Sequence, residues 1–162
     1  MKFSRVFLIM AALAVFGILL ACAPLFGQEK QDGSLYELLP GSTYQEGCVG
    51  RCKCPIRMAS LSGTFVLTRK SGSPSEFDIS GIQWSAGGVG GKALHSISGG
   101  GTYQKAAGTH RLTLDLSIDG SQAGFDTGFV PGGADFPNIK INADQGGKCL
   151  NRWVDIIAAP KK

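Results

Sequence analysis

Cys48, Cys52 and Cys54 fall within one short stretch, Gly41 to Pro55 (GSTYQEGCVGRCKCP), and Cys149 stands far away along the chain. Thiols spaced C-x3-C-x-C with a distant fourth have two chemistries open to them. They can hold a metal as four thiolates, or close two disulfides. The C-x2-C knuckle of the usual zinc site is missing, and a redox motif would need C-x-x-C beside a βαβ unit. Disulfides are therefore expected if the chain reaches an oxidising compartment. A direct Cys52–Cys54 bond is strained, because bridged Cα atoms prefer a separation of about 5.5 Å. The expectation is one bridge within the cluster from Cys48, and one from Cys52 or Cys54 to Cys149.

The remaining chemistry is sparse. His95 and His110 are the only histidines, so no three-histidine metal site can form. Neither lies in H-E-x-x-H, and the chain lacks G-x-S-x-G and a serine three residues before a lysine. His95 is expected to face solvent, in opposite phase to Leu94, and His110 is expected at the surface where its strand begins. Asp115, Ser117 and Asp119 with Asp126 have the oxygen spacing of a calcium loop, but Leu116 and Ile118 complete a strand period through them. Gly88 to Ala93 matches G-x-G-x-x-[GA] without the helix that a dinucleotide site requires. Trp84, Tyr103, Phe129 and Trp153 are the candidate lining of a ligand cavity, although such aromatics also simply fill a small barrel. No catalytic residue, metal or cofactor is expected.

The elements that must position these residues begin with an address. Lys2 and Arg5 precede an apolar run from Val6 to Ala21, the charged region and apolar core of an export signal. Its 16 residues fall short of the roughly 20 that cross a bilayer. The run ends Leu19-Leu20-Ala21-Cys22, which resembles the lipobox of bacterial lipoproteins, with Leu20 in place of the favoured small residue. The resemblance implies that Cys22 is acylated and becomes the mature N-terminus. The alternative is an ordinary signal cut further on, after Gly27. Loss of Lys2 and Arg5 lowers the formal charge from +4 to +2, which gives no footprint for nucleic acid. Residues 1–21 are thus read as the signal, 22–40 as a tether with one helical turn over Ser34 to Leu39, and 41–162 as the domain.

His110 to Gly120 (HRLTLDLSIDG) is the clearest element of that domain. Leu112, Leu114, Leu116 and Ile118 alternate with polar residues, so one face of a strand is apolar and the other wet. Asp119-Gly120 supplies a two-residue hairpin turn. Further strands are expected at Gly63 to Arg69, at Phe77 to Trp84 with a bulge at Ser80-Gly81, and within Lys92 to Tyr103, with Leu94 and Ile97 in it and a break at Gly99-Gly100-Gly101. Phe125, Thr127 and Phe129 are read as the partner of the central strand. Ile139, Ile141 and Ala143 alternate in the next, and Val154, Ile156 and Ala158 in the last. The fold expected is all-β, a single antiparallel barrel or sandwich of about seven or eight strands stapled by disulfides.

The combination Gly41-Ser42, Tyr44, Gly47-Cys48, Cys52, Cys54-Pro55, Gly63 to Leu67, Ile82 to Trp84 and Cys149 resembles a family of uncharacterised bacterial exported proteins. That resemblance implies export and an all-β domain, and carries over no activity. The expected function is a non-catalytic binding or structural module of the cell envelope. It would be held to the membrane by a lipid on Cys22 and present loops such as Ser85 to Gly91 and Val130 to Asp135 to a partner. The alternatives are a barrel carrying a small apolar ligand and, least favoured, a hydrolase.

Overall fold

The computed structural model describes residues 33–87, 93–132 and 134–162. The signal, Cys22 and most of the Gly88 to Ala93 loop lie outside these residues. Ten strands occur: β1 (Ser34–Leu38), β2 (Thr43–Cys48), β3 (Arg57–Arg69), β4 (Glu76–Gly87), β5 (Ala93–Ala106), β6 (Thr109–Ile118), β7 (Ser121–Asp126), β8 (Val130–Pro131), β9 (Ile139–Asp144) and β10 (Leu150–Pro160). They form one antiparallel sheet, and the described residues contain no helix.

Period-two patterning makes one face of this sheet the core. Leu112, Leu114, Leu116 and Ile118 of β6 are buried, as are Ile139, Ile141 and Ala143 of β9 and Val154, Ile156 and Ala158 of β10. Each large aliphatic side chain buried in this way contributes about 1.5–3 kcal/mol. One apolar face on one sheet has nothing to pack against except itself, so the sheet must roll. It does: Tyr44 of β2 meets His95 of β5 with ring centroids 5.2 Å apart, although β3 and β4 lie between them in the sheet. The domain is therefore an all-β rolled sheet of barrel or sandwich type.

The turn after β6 is as expected. Asp119 and Gly120 both have positive φ, 49° and 85°, and Ile118 pairs with Ser121 across them. Such a turn matches the twist of the strands it joins. The bulge expected at Ser80-Gly81 is present, as a register shift between Ile79 and Ile82.

Four expectations are corrected. Ser34 to Leu39 is not a helical turn: Ser34–Leu38 is β1, paired with β10 on one side and β3 on the other. Sheet pairing on both sides outweighs the weak local helix preference. β1 and β2 together run as one interrupted strand between β10 and β3. At the interruption, buried Ser42 donates its hydroxyl to Ile157 O and accepts the Ile157 N–H, both at 3.0 Å. These bonds replace the missing ladder. Gly99-Gly100-Gly101 is not a break either, since β5 pairs with β6 straight through it. A Cβ at Gly99 or Gly101 would overlap the carbonyl oxygen of Asp115 or Thr113, so glycine is what permits this close approach. Phe129 lies beyond β7 and is exposed. His110 is buried at 5% exposure, because it shares the inward phase of Leu112 and Leu114.

Candidate functional site

Two disulfides staple one end of the sheet. Cys48 bonds Cys54, and Cys52 bonds Cys149. The first bridge folds the loop after β2 back on itself. The second ties that loop to the start of β10. Val49 N–H donates to Cys149 O at 2.8 Å beside them.

The inward phase of the strands turns from apolar to charged at this same end. Glu46 of β2 lies in register with Arg57 of β3 on one side and Arg152 of β10 on the other. Glu46 Oε2 accepts the Tyr44 hydroxyl at 2.9 Å and lies 3.9 Å from Arg152 Nε. Across the interior, Glu46 Oε1 is 3.6 Å from His95 Nε2. Small residues leave room for this crossing: Ala59 stands opposite Tyr44, and Ala86 opposite His95. The other nitrogen of His95, Nδ1, lies 2.7 Å from Asp119 Oδ2, while Asp119 Oδ1 accepts the Ser96 N–H at 2.9 Å. The hairpin turn thus fixes the carboxylate that orients the imidazole.

The electrostatics follow this geometry. Burial, and then the Glu46 carboxylate beside it, push the Tyr44 phenol far above its ordinary range, so it acts as a neutral donor. The Ser96 N–H, followed by His95, holds the Asp119 carboxyl below its usual value. Arg152 Nε is buried and has no hydrogen-bond partner among the described residues. Tyr44, Glu46, Arg57, Met58, Ala59, Leu94 and His95 line a pocket of about 220 Å³. An adjoining cleft shares Glu46 and Arg57 and reaches Cys54, Pro55 and Leu150. The arrangement can bind a small polar or charged group, and His95 with its orienting carboxylate can accept or donate a proton.

Comparison with known protein families, with characterised proteins and with solved structures returns no match.

The candidate aromatics are not gathered in one place. Trp84 is buried edge-on to Phe65, with centroids 6.0 Å apart. Tyr103 is buried with its hydroxyl 3.2 Å from His110 Nδ1. Trp153 lies on the opposite face of the sheet and donates from Nε1 to Asp144 Oδ2 at 3.2 Å. Phe129 is exposed. Of the calcium-like carboxylates, Asp126 is held by a two-toothed contact with Arg111 and Asp119 by His95. Among the described residues, no group of three or more metal-ligating side chains converges.

His95 is corrected: it takes the inward phase of Ile97, and it is Leu94 that is exposed. Reading the strand phase from Leu94 inverted it. Glu46, Arg57 and Arg152 were not singled out by sequence reasoning. The signal was there, since Glu46 has the phase of Tyr44, and Arg152 that of Val154 and Ile156. A charge in the inward phase near a strand end points to a polar mouth.

Proposed function

We propose that this protein is an exported, lipid-anchored, non-catalytic binding module of the cell envelope, and that its binding site is the charged pocket at the stapled end. The observation that carries the reading is the row Arg152–Glu46–Arg57 on the core side of the sheet, facing His95 across a pocket. Charges are placed inward only at a cost, and a polar, concave strand end is a usual place for a ligand. Two disulfides are compatible with export. The apolar run before Cys22 supports acylation at that residue, and a lipid anchor would keep the pocket at a membrane surface. Growth of the source cells with a labelled fatty acid tests the anchor. Label on the wild-type chain that disappears in Cys22→Ser, with release of the protein from the membrane, is the expected result. Label that survives the substitution, or its absence from the wild type, defeats the anchor.

One observation favours a second reading, a hydrolase. His95 with Asp119 on Nδ1 has the arrangement of a general base and its orienting acid. Among the described residues no serine, threonine or thiol is hydrogen-bonded to His95, which ranks this reading below the binding module. Hydrolysis of a model ester that vanishes in His95→Ala would raise it above.

A further inference from the structure

Resting on the binding reading above, we infer that the pocket takes an anionic amphiphile: a small phosphate or carboxylate head on Arg57, with a short apolar tail over Met58 and Leu94.

Charge accounting at the pocket selects the head. Glu46 is already engaged: Oε2 by the Tyr44 hydroxyl with Arg152 nearby, and Oε1 by His95. Asp119 is engaged by His95 and the Ser96 N–H. Arg57 lines the same pocket, is exposed, and has no ionic or hydrogen-bonding partner among the described residues. The stapled segments also carry Arg51, Lys53 and Lys148. No Asp or Glu occurs from Gly47 to Ser75, or from Gln145 to Val154. The two segments joined by Cys52–Cys149 therefore bring five cations to this end, Arg51, Lys53, Arg57, Lys148 and Arg152, without an acid of their own. An excess of one sign of charge at one end of a domain raises the local concentration of the opposite ion. A guanidinium fork fits a carboxylate or phosphate through two parallel hydrogen bonds.

The apolar surface selects the tail. Met58 and Leu94 line the pocket at 66% and 55% exposure. Leu150, 49% exposed, lines the adjoining cleft, and Ile56, 60% exposed, directly precedes Arg57. Exposed apolar residues scattered singly need no explanation, but three lining one charged pocket and its adjoining cleft do. At about 220 Å³ the pocket holds a head group and a few carbons, and the rest of a chain would lie along the cleft.

The test is calorimetric titration of the disulfide-intact protein, as extracted in a non-ionic detergent, with hexyl phosphate, inorganic phosphate and hexyltrimethylammonium at one ionic strength. Hexyl phosphate is expected to bind at least about tenfold more tightly than inorganic phosphate, and the cation not at all. Arg57→Gln should weaken hexyl phosphate by about tenfold or more. Met58→Ser should erase most of its advantage over inorganic phosphate, with the strand circular dichroism of both variants unchanged. Binding of the cation alone overturns the anionic class and leaves the binding reading standing. Silence from all three probes removes both. An unchanged affinity in Arg57→Gln overturns the assignment. Vesicles distinguish the sources of the head group. Binding to phosphatidylglycerol vesicles as well as to hexyl phosphate makes the ligand a lipid headgroup, and binding to hexyl phosphate alone makes it a free acid. Binding to vesicles alone overturns the pocket in favour of a membrane-facing surface.

Discussion

Glu46 Oε1 and His95 Nε2 lie 3.6 Å apart across the interior of the rolled sheet, joining two strands that are not neighbours in it. The contact closes one end of the core with charge instead of hydrocarbon. Glu46 also neutralises Arg152, whose Nε is buried. Glu46→Ala removes a partner from both and leaves the Tyr44 hydroxyl without its acceptor. A loss of about 2 kcal/mol in denaturant unfolding is expected, because an unpaired, partly buried polar group carries its full desolvation cost. His95→Gln, which keeps a hydrogen-bonding side chain in place, should lose less.

His110 supplies a pH dependence whose sign is fixed by burial. Desolvation lowers its folded-state pKa below the ordinary histidine value. Folding therefore opposes its protonation. The native state keeps its full advantage above the unfolded pKa of about 6.5 and loses it as pH falls below that value. Unfolding curves at pH 8 and pH 5 should show a drop in stability for the wild type. The drop should be smaller in His110→Gln, where nothing titrates. Equal drops in both would contradict the burial of this ring.

Asp126 provides the acid limb. The Arg111 guanidinium, helped by the Gly128 N–H, holds its carboxyl down at about 2. A depressed carboxylate stabilises the fold above its unfolded pKa, about 3.9, and stops doing so as pH falls through about 2. The pair is exposed, so solvent screening keeps the contribution small. Asp126→Asn should flatten the stability profile between about pH 4 and 2 and slightly lower its dependence on salt.

The two disulfides should differ in weight. Cys52–Cys149 spans 97 residues and Cys48–Cys54 spans 6. In the chain-entropy account the long loop is worth about 4–5 kcal/mol and the short one about 2 kcal/mol. Paired serine substitutions, Cys52→Ser with Cys149→Ser and Cys48→Ser with Cys54→Ser, measure this by denaturant unfolding. A larger loss from the short bridge would reverse the expected order.

Much of the sheet was legible because strand periodicity repeats over many residues. Leu112 to Ile118 announced both β6 and its buried face, and Asp119-Gly120 announced the turn. The disulfide partners were narrowed by the geometry of Cys52 and Cys54, and the structure picks Cys52 for Cys149. What misled was local. The phase of β5 was read from Leu94, an exposed residue, and that choice sent His95 to the wrong face. β1 was hidden because its partners, Thr64 to Leu67 and Ala158 to Pro160, lie far away in sequence. The charged mouth escaped notice because its parts come from β2, β3, β5, β10 and a turn. Strand pairing sets Glu46 between Arg57 and Arg152, and His95 beside Asp119, but only the rolling of the sheet brings these two groups together.

The central claim, an exported and lipid-anchored binding module, is tested most directly by the intact mass of the protein extracted from membranes, native and then denatured, with and without reductant. The account predicts a chain that begins at an acylated Cys22 and gains four hydrogens on reduction, two for each disulfide. A chain that begins elsewhere without acyl mass, or one that gains no hydrogens on reduction, would contradict it.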